Sequence, residues 1–167
     1  MEVVICPNHD DLSLRAARIV AELIRAKPDA VLGLPIGSTP IGLYRELVRM
    51  HPQEGLSFAQ VRVFNLIEYV GLGPEHPQSS HRFMHQYLFD HVDIRPDQVY
   101  APSGLAMDLD AHCLYYEQQI ADCGGIDLLV LGIGTDGHIA FNEPGSSFNS
   151  RTRRVALARQ TIDDNAR

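Results

Sequence analysis

The 167-residue sequence contains one lysine and three cysteines. Lys27 precedes a proline at the end of a predicted helix, which argues against Schiff-base chemistry because that chemistry needs a lysine in a pocket. Cys6, Cys113 and Cys123 form no closely spaced pair, so we expect free thiols. There is no apolar run long enough to cross a bilayer and no secretory leader, and we therefore expect a cytoplasmic protein without membrane contact.

Positive charge is scarce except near the carboxyl terminus. The net charge of −7 argues against nucleic acid or an acidic membrane as a partner. Residues 1–145 contain 9 basic and 19 acidic side chains, whereas residues 146–167 contain five arginines and two aspartates. The basic segment is either a solvated strand or tail, or part of an anion-binding site.

Apolar patterning predicts strands that alternate with helices. The predicted strands span residues 2–7, 30–35, 61–67, 98–101, 126–134 and 153–158. The predicted helices span residues 10–25, 41–50, 80–92 and 108–122, and another begins at 163–165. This order predicts a single α/β domain over residues 1–167, with a three-layer, doubly wound, mostly parallel, Rossmann-like sheet. Ligands of such sheets bind beyond the carboxyl ends of the strands.

The stretch GSTP follows the second predicted strand. Gly37 permits a tight turn, and the hydroxyls of Ser38 and Thr39 can either cap the next helix or bind an anion. The stretch matches neither the P-loop nor the GxGxxG pattern. An ordinary helix cap and a phosphate site both remain open.

The stretch IGTDGHIAFNEPG follows the fifth predicted strand and places Asp136, His138 and Glu143 within eight positions. Asp136 can orient His138 and fix its tautomer, and Glu143 can join them. A histidine that titrates near neutral pH is suited to moving a proton between two oxygen atoms. The alternative is a pair of turn-capping acids beside a loop histidine. We interpret the cluster as a proton-transfer site.

Four histidines lie near the third predicted helix. His81 and His85 are four residues apart, with His76 and His91 nearby. Because no cysteine or acidic pattern such as HExxH accompanies them, we expect no metal site.

Four stretches together resemble the glucosamine-6-phosphate deaminase family over essentially the whole chain: GLPIGSTP, FNLIEYVGL, EHPQSSHRFMHQYLFDHV and GIGTDGHIAFNEPG with the later SRTR. The related 6-phosphogluconolactonases share the fold and a DGH turn, but usually continue differently where this chain has FNEP. The resemblance implies a cofactor-free hydrolase of amino-sugar catabolism that converts glucosamine 6-phosphate into fructose 6-phosphate and ammonia. It also implies that His138 opens the sugar ring with Asp136 and Glu143 as partners, and that the GSTP turn and Arg167 bind the substrate phosphate.

The family motif NxDEY reads Asn-Leu-Ile-Glu-Tyr here, which puts Ile67 where the family has the base for proton removal at carbon 2. Glu68 is adjacent, but successive strand residues point to opposite faces. A general base contributes roughly a hundred- to ten-thousandfold to rate. We therefore expect severely impaired enolisation, with ring opening and substrate binding retained.

Two further departures concern the region from residue 146 onward. Ser146 and Arg153 match the family's allosteric site, but Val155 replaces an expected lysine, so classical activation is not expected. Family members also run further, so the carboxyl-terminal part of the fold is predicted to be missing. An exposed sheet edge then favours poor solubility or self-association into a homo-oligomer.

Two other functions compete with the deaminase. One is a non-catalytic, sugar-phosphate-binding regulator, which Ile67 favours. The other is a 6-phosphogluconolactonase, which needs only the histidine and the phosphate site.

Overall fold

The structure is a computed structural model that describes residues 1–165, apart from the side chain of residue 164. Its elements in chain order are α1 (His9–Ala26), β1 (Val31–Leu34), α2 (Ile41–Glu54), β2 (Arg62–Asn65), α3 (Ser80–Tyr87), β3 (Val99–Tyr100), α4 (Leu109–Asp122), β4 (Leu128–Leu129) and α5 (Arg159–Asn165). Short 3-10 turns occupy Phe89–His91 and Pro96–Gln98. Within the described part, no helix combines the length and apolarity that a membrane span requires.

The four strands form one sheet in the order β3-β2-β1-β4, and every pairing is parallel. From β1 the chain moves to β2 on one side, and it later crosses to β4 on the other side. The carboxyl ends of β1 and β4 therefore flank a topological switch point, where sheets of this kind bind ligands.

Side chains on the two faces of the sheet enter different cores. Leu32, Leu34 and Val63 join the larger core, which the first three helices cover. Val31 and Phe64 point to the other face, where they pack with Tyr116 of α4. Helices on both faces of a parallel sheet make three layers. The predicted α/β, doubly wound fold is confirmed.

Helices α1 and α2 pack closely because small residues meet between them. A Cβ atom added at Gly42 would lie 2.2 Å from the Ser13 hydroxyl oxygen. The Asn8 side chain caps α1 by accepting a hydrogen bond of 2.9 Å from the Asp11 amide. Gly55 ends α2 in a left-handed conformation, with φ of 67°, which costs glycine little. These signals are local, and the first two predicted helices are confirmed.

Two predicted strands are wrong. Residues 2–7 and 153–158 are not paired as strands in the described structure. Val3 and Ile5 are 73% and 91% exposed, so this apolar run meets no sheet edge. Of the strand predicted at 126–134, only Leu128–Leu129 joins the sheet. Leu131 and Ile133 are exposed beyond it, and Ile133 forms an isolated bridge with Ile139. An apolar, β-branched run becomes a strand only where a neighbouring edge accepts its hydrogen bonds.

Two helix boundaries also differ from the prediction. The helix predicted at 80–92 ends at Tyr87 and is followed by a 3-10 turn. The helix expected to start at 163–165 begins earlier, at Arg159. The ends of helices depend on caps and tertiary contacts that periodicity does not report.

Candidate functional site

The loop after β4 makes a tight turn that presents the predicted acid and imidazole. The Gly134 amide donates to the His138 carbonyl at 2.8 Å, and the Gly137 amide donates to the Gly134 carbonyl at 3.0 Å. Gly137 has φ of 88°, a conformation that residues with a Cβ atom rarely adopt. The turn brings Asp136 and His138 side by side.

Asp136 and His138 form a short hydrogen bond. The Asp136 Oδ1 atom lies 2.6 Å from the His138 Nδ1 atom and also accepts from the His138 amide at 3.1 Å. The backbone hydrogen bond from His138 lowers the pKa of Asp136, and the bond from the imidazole lowers it further. An ionised carboxylate can only accept, so Nδ1 carries the proton and a neutral His138 keeps Nε2 as its proton acceptor.

Glu143 completes the cluster. One ligand atom from each of Asp136, His138 and Glu143 lies within 4.8 Å of the others. The Glu143 Oε1 atom accepts from the Ala158 amide at 2.9 Å, whereas Oε2 is buried and has no partner among the described residues. One imidazole and two carboxylates can hold a divalent cation, and they can equally pass a proton. The structure thus brings together all three residues that the sequence grouped.

Gly134 has a role beyond the turn. A Cβ atom added there would lie 2.0 Å from the His138 Cε1 atom and 2.4 Å from each ring nitrogen. The His138 ring therefore rests against the bare backbone of Gly134. The His138 side chain is only 12% exposed, so the ring has little room to move aside.

A cleft of about 550 Å³ opens beside Glu143, between the end of β2 and the segment 137–155. Ile67 lines this cleft, where the family resemblance would place an acid. The cleft also includes Ser146 and Arg153, which lie together because the Arg153 guanidinium donates to the Ser146 hydroxyl at 3.2 Å. The cleft wall at residue 67 is therefore hydrocarbon.

Glu68 is engaged elsewhere. Its carboxylate accepts from the Ser79 hydroxyl at 2.7 Å, from the Tyr69 amide at 2.8 Å and from the Ser80 amide at 3.2 Å. The expectation that Glu68 does not substitute for the missing base rested on strand alternation. Strand β2 ends at Asn65, so the physical reason is instead that Glu68 holds the start of α3.

The GSTP turn follows β1, which pairs with β4. The loop after β4 carries the cluster of Asp136, His138 and Glu143, which is called the relay below. Ser38 and Thr39 are exposed, and no side chain caps α2, whose N-cap is Pro40. Capping by hydroxyl groups is therefore not what this turn does in the described structure. Gly37 has φ of 127°. Arg167, the other residue predicted to bind phosphate, lies outside the described residues.

Sequence reasoning missed two residues that support the relay. Thr161 is buried, and its hydroxyl oxygen lies 3.5 Å from the His138 Nδ1 atom. Ala158 supplies the amide that holds Glu143. Ala158 lies just before α5 and Thr161 in its first turn. Both are far along the chain from Asp136, Gly137 and His138, and no local pattern links them to these residues.

The fold and the site define an α/β protein with an acid–imidazole–acid cluster at the switch point of a parallel sheet, where sheets of this kind bind small ligands. Residues 8–166 match the family model described as glucosamine-6-phosphate isomerases/6-phosphogluconolactonase. The chain belongs to this family.

The curated relatives and solved structures agree with this assignment. The chain is 52% identical over 167 residues to a glucosamine-6-phosphate deaminase of Bacillus velezensis, covering 100% of this chain and 69% of the relative. It is 53% identical over 172 residues to one of Porphyromonas gingivalis, covering 100% of this chain and 65% of the relative. The chain thus spans about two thirds of the length of such relatives.

A solved monomeric glucosamine-6-phosphate deaminase, described as the missing link of the NagB superfamily, matches with a TM-score of 0.98 and 49% identity, over 99% of this chain and 69% of that one. A 6-phosphogluconolactonase from Thermotoga maritima matches with a TM-score of 0.68 and 23% identity, over 83% and 62% of the two chains. The second match concerns the fold alone.

Proposed function

We propose that this chain carries the ring-opening site of a glucosamine-6-phosphate deaminase of amino-sugar catabolism, acting in the cytoplasm. The observation that carries the proposal is the cluster of Asp136, His138 and Glu143 at the switch point. Relatives about half identical to this chain are named for that activity. The complete reaction consumes water and gives fructose 6-phosphate and ammonia.

His138 acts first. Its unprotonated Nε2 atom takes the proton from the hydroxyl on carbon 1 of the sugar, and returns it to the ring oxygen as the ring bond to carbon 1 breaks. Asp136 stabilises the imidazolium that forms between these steps, because it already accepts from Nδ1 at 2.6 Å. The unpartnered Glu143 Oε2 atom also stabilises the positive charge of this imidazolium while the open-chain aldehyde forms.

The next step, proton removal from carbon 2, is affected by Ile67. Isomerisation requires a base to take the proton from carbon 2, and a hydrocarbon side chain cannot accept it. Loss of a general base costs on the order of a hundred- to ten-thousandfold in rate. We propose that ring opening proceeds and that formation of the enol limits deamination severely.

Phosphate binding belongs to the GSTP turn. Its amides and the start of α2 form a site of partial positive charge, and no side-chain cap occupies that site in the described structure. Arg167 adds a cation to the phosphate. Arg153 with Ser146 offers a second, weaker anion site on the cleft.

Ammonia release from glucosamine 6-phosphate tests the proposal in three proteins: the unmodified chain, Ile67→Asp and Ile67→Asn. Asparagine matches aspartate in size but is not a base. We expect a gain of at least a hundredfold for Ile67→Asp over both others. Ammonia release by the unmodified chain at the same measurable rate as by Ile67→Asp would refute the impairment.

A non-catalytic regulator that binds sugar phosphate is the second candidate, and Ile67 in the cleft wall favours it. Calorimetric titration of all three proteins with glucosamine 6-phosphate separates the two. Tight binding without ammonia release from any protein supports the regulator. Hydrolysis of 6-phosphogluconolactone by the unmodified chain would instead support a lactonase.

A further inference from the structure

Helix α3 carries two histidines on one face. His81 and His85 are one helical turn apart, and their ring centroids lie 4.5 Å from each other. Residues four apart on a helix face the same side. Two imidazoles at this spacing can direct one nitrogen atom each towards a common point.

The His85 ring is held in the orientation of a metal ligand. Its Nδ1 atom lies 2.7 Å from the Asp90 Oδ1 atom, and the Phe89 ring packs edge-on against it at 5.5 Å. Because the carboxylate accepts the Nδ1 proton, the Nε2 atom of the neutral ring keeps its lone pair. A carboxylate behind the imidazole is the usual arrangement around metal-bound histidine.

A cavity of about 430 Å³ faces the two rings, and Glu75, Arg82 and Asp90 also line it. Among the described residues, no carboxylate forms a group of possible ligand atoms with both imidazoles, so water would complete the coordination of an ion held by the two rings.

We propose that His81 and His85 bind one transition-metal ion of the Zn²⁺, Ni²⁺ or Cu²⁺ type, with water completing the coordination. Imidazole nitrogen suits these borderline ions. The site is independent of the proposed deaminase chemistry, since its cavity shares no lining residue with the cleft beside Glu143.

Calorimetric titration of the untagged protein with Zn²⁺ tests the proposal. We expect one site that weakens at least tenfold in His81→Gln and in His85→Gln. Asp90→Asn, which keeps both ligands and removes the orienting charge, should weaken binding about 10- to 100-fold. The matched control is His138→Gln, because Asp136, His138 and Glu143 form a group of three possible metal ligands among the described residues.

Equal affinity in the unmodified protein and the two α3 variants would overturn the proposal, as would loss of binding only in His138→Gln. Histidine ring ¹⁵N spectra of the unmodified protein provide a measurement that needs no variant. Zn²⁺ should shift the Nε2 resonances of two histidines together at one equivalent. Zn²⁺-induced shifts confined to a single histidine would also contradict a two-histidine site.

Discussion

The hydroxyl of Tyr116 joins α4 to the end of β2, and its removal should weaken the fold measurably. Tyr116 is 3% exposed, and its hydroxyl donates to the Asn65 carbonyl at 2.6 Å. In Tyr116→Phe the ring still packs edge-on against Phe64, but the buried carbonyl loses this donor. Leaving a buried polar group without its partner costs about 1–3 kcal/mol. For a chain of this size, the melting temperature should fall by about 2–12 °C.

Urea denaturation measures this loss, with Tyr115→Phe as the matched control. Tyr115 neighbours Tyr116 on α4 but is 60% exposed, and its hydroxyl only accepts from Gln119 at 3.2 Å. We expect a lower midpoint for Tyr116→Phe at an unchanged slope, and almost no change for the control. Equal midpoints for the two variants would refute the assigned role of the buried hydroxyl.

The same hydroxyl predicts a dependence on alkaline pH. Burial raises the pKa of Tyr116 above its ordinary value, and the nearby Glu117 raises it further. A folded-state pKa above the unfolded one stabilises the protein fully below pH about 10. This stabilisation is lost as the pH rises towards the folded-state pKa. The difference in unfolding free energy between the unmodified protein and Tyr116→Phe should therefore shrink above pH 10, and a constant difference would contradict this reasoning.

Two more predictions concern the relay and the single lysine. Gly134→Ala should displace the His138 ring, because the new methyl group would lie 2.0 Å from the His138 Cε1 atom. The NMR resonance of the His138 Nδ1 proton should then lose the shift that its strong hydrogen bond causes. An unchanged spectrum would argue against the packing of the His138 ring on Gly134. Asp127→Asn should cost about 0.5–1 kcal/mol at pH 7, because Asp127 binds Lys27 at 2.6 Å and the Val31 amide at 2.8 Å. The hydrogen bond from Lys27 lowers the pKa of Asp127 most, and the hydrogen bond from the Val31 amide lowers it further. The stabilisation by Asp127 is therefore present above its unfolded-state pKa near 3.8 and disappears as the pH falls through its folded-state pKa. A loss of unfolding free energy in Asp127→Asn that persists at pH 2 in urea titrations would contradict this reasoning.

Local signals in the sequence predict helix α1 and the grouping of Asp136, His138 and Glu143 well. Helix α1 has its cap, its acidic first turn and its apolar face within one stretch. The relay was found because Asp136, His138 and Glu143 lie within eight positions. A short chain segment leaves few ways to arrange such side chains, so proximity in sequence became proximity in space.

Features that depend on distant partners could not be predicted in this way. The run at 126–134 is apolar except for Asp127, yet only Leu128–Leu129 pairs with β1. Residues 2–7 have the composition of a strand and no edge to join in the described structure. The support that Ala158 and Thr161 give the relay depends on a return of the chain that no local spacing encodes.

Glu68 connects the cleft wall at Ile67 with the start of helix α3. In the sequence it is the nearest acid to Ile67, but its carboxylate accepts from the Ser79 hydroxyl at 2.7 Å and from the His81 amide at 3.4 Å. Freeing Glu68 to act as a base would break these hydrogen bonds to the start of α3, although Ser79 would still cap the helix through its own hydroxyl oxygen. The cleft wall at residue 67 is thus anchored to the helix that carries the two histidines. Ile67→Asp would therefore introduce its carboxylate next to a residue that hydrogen bonds already hold in place.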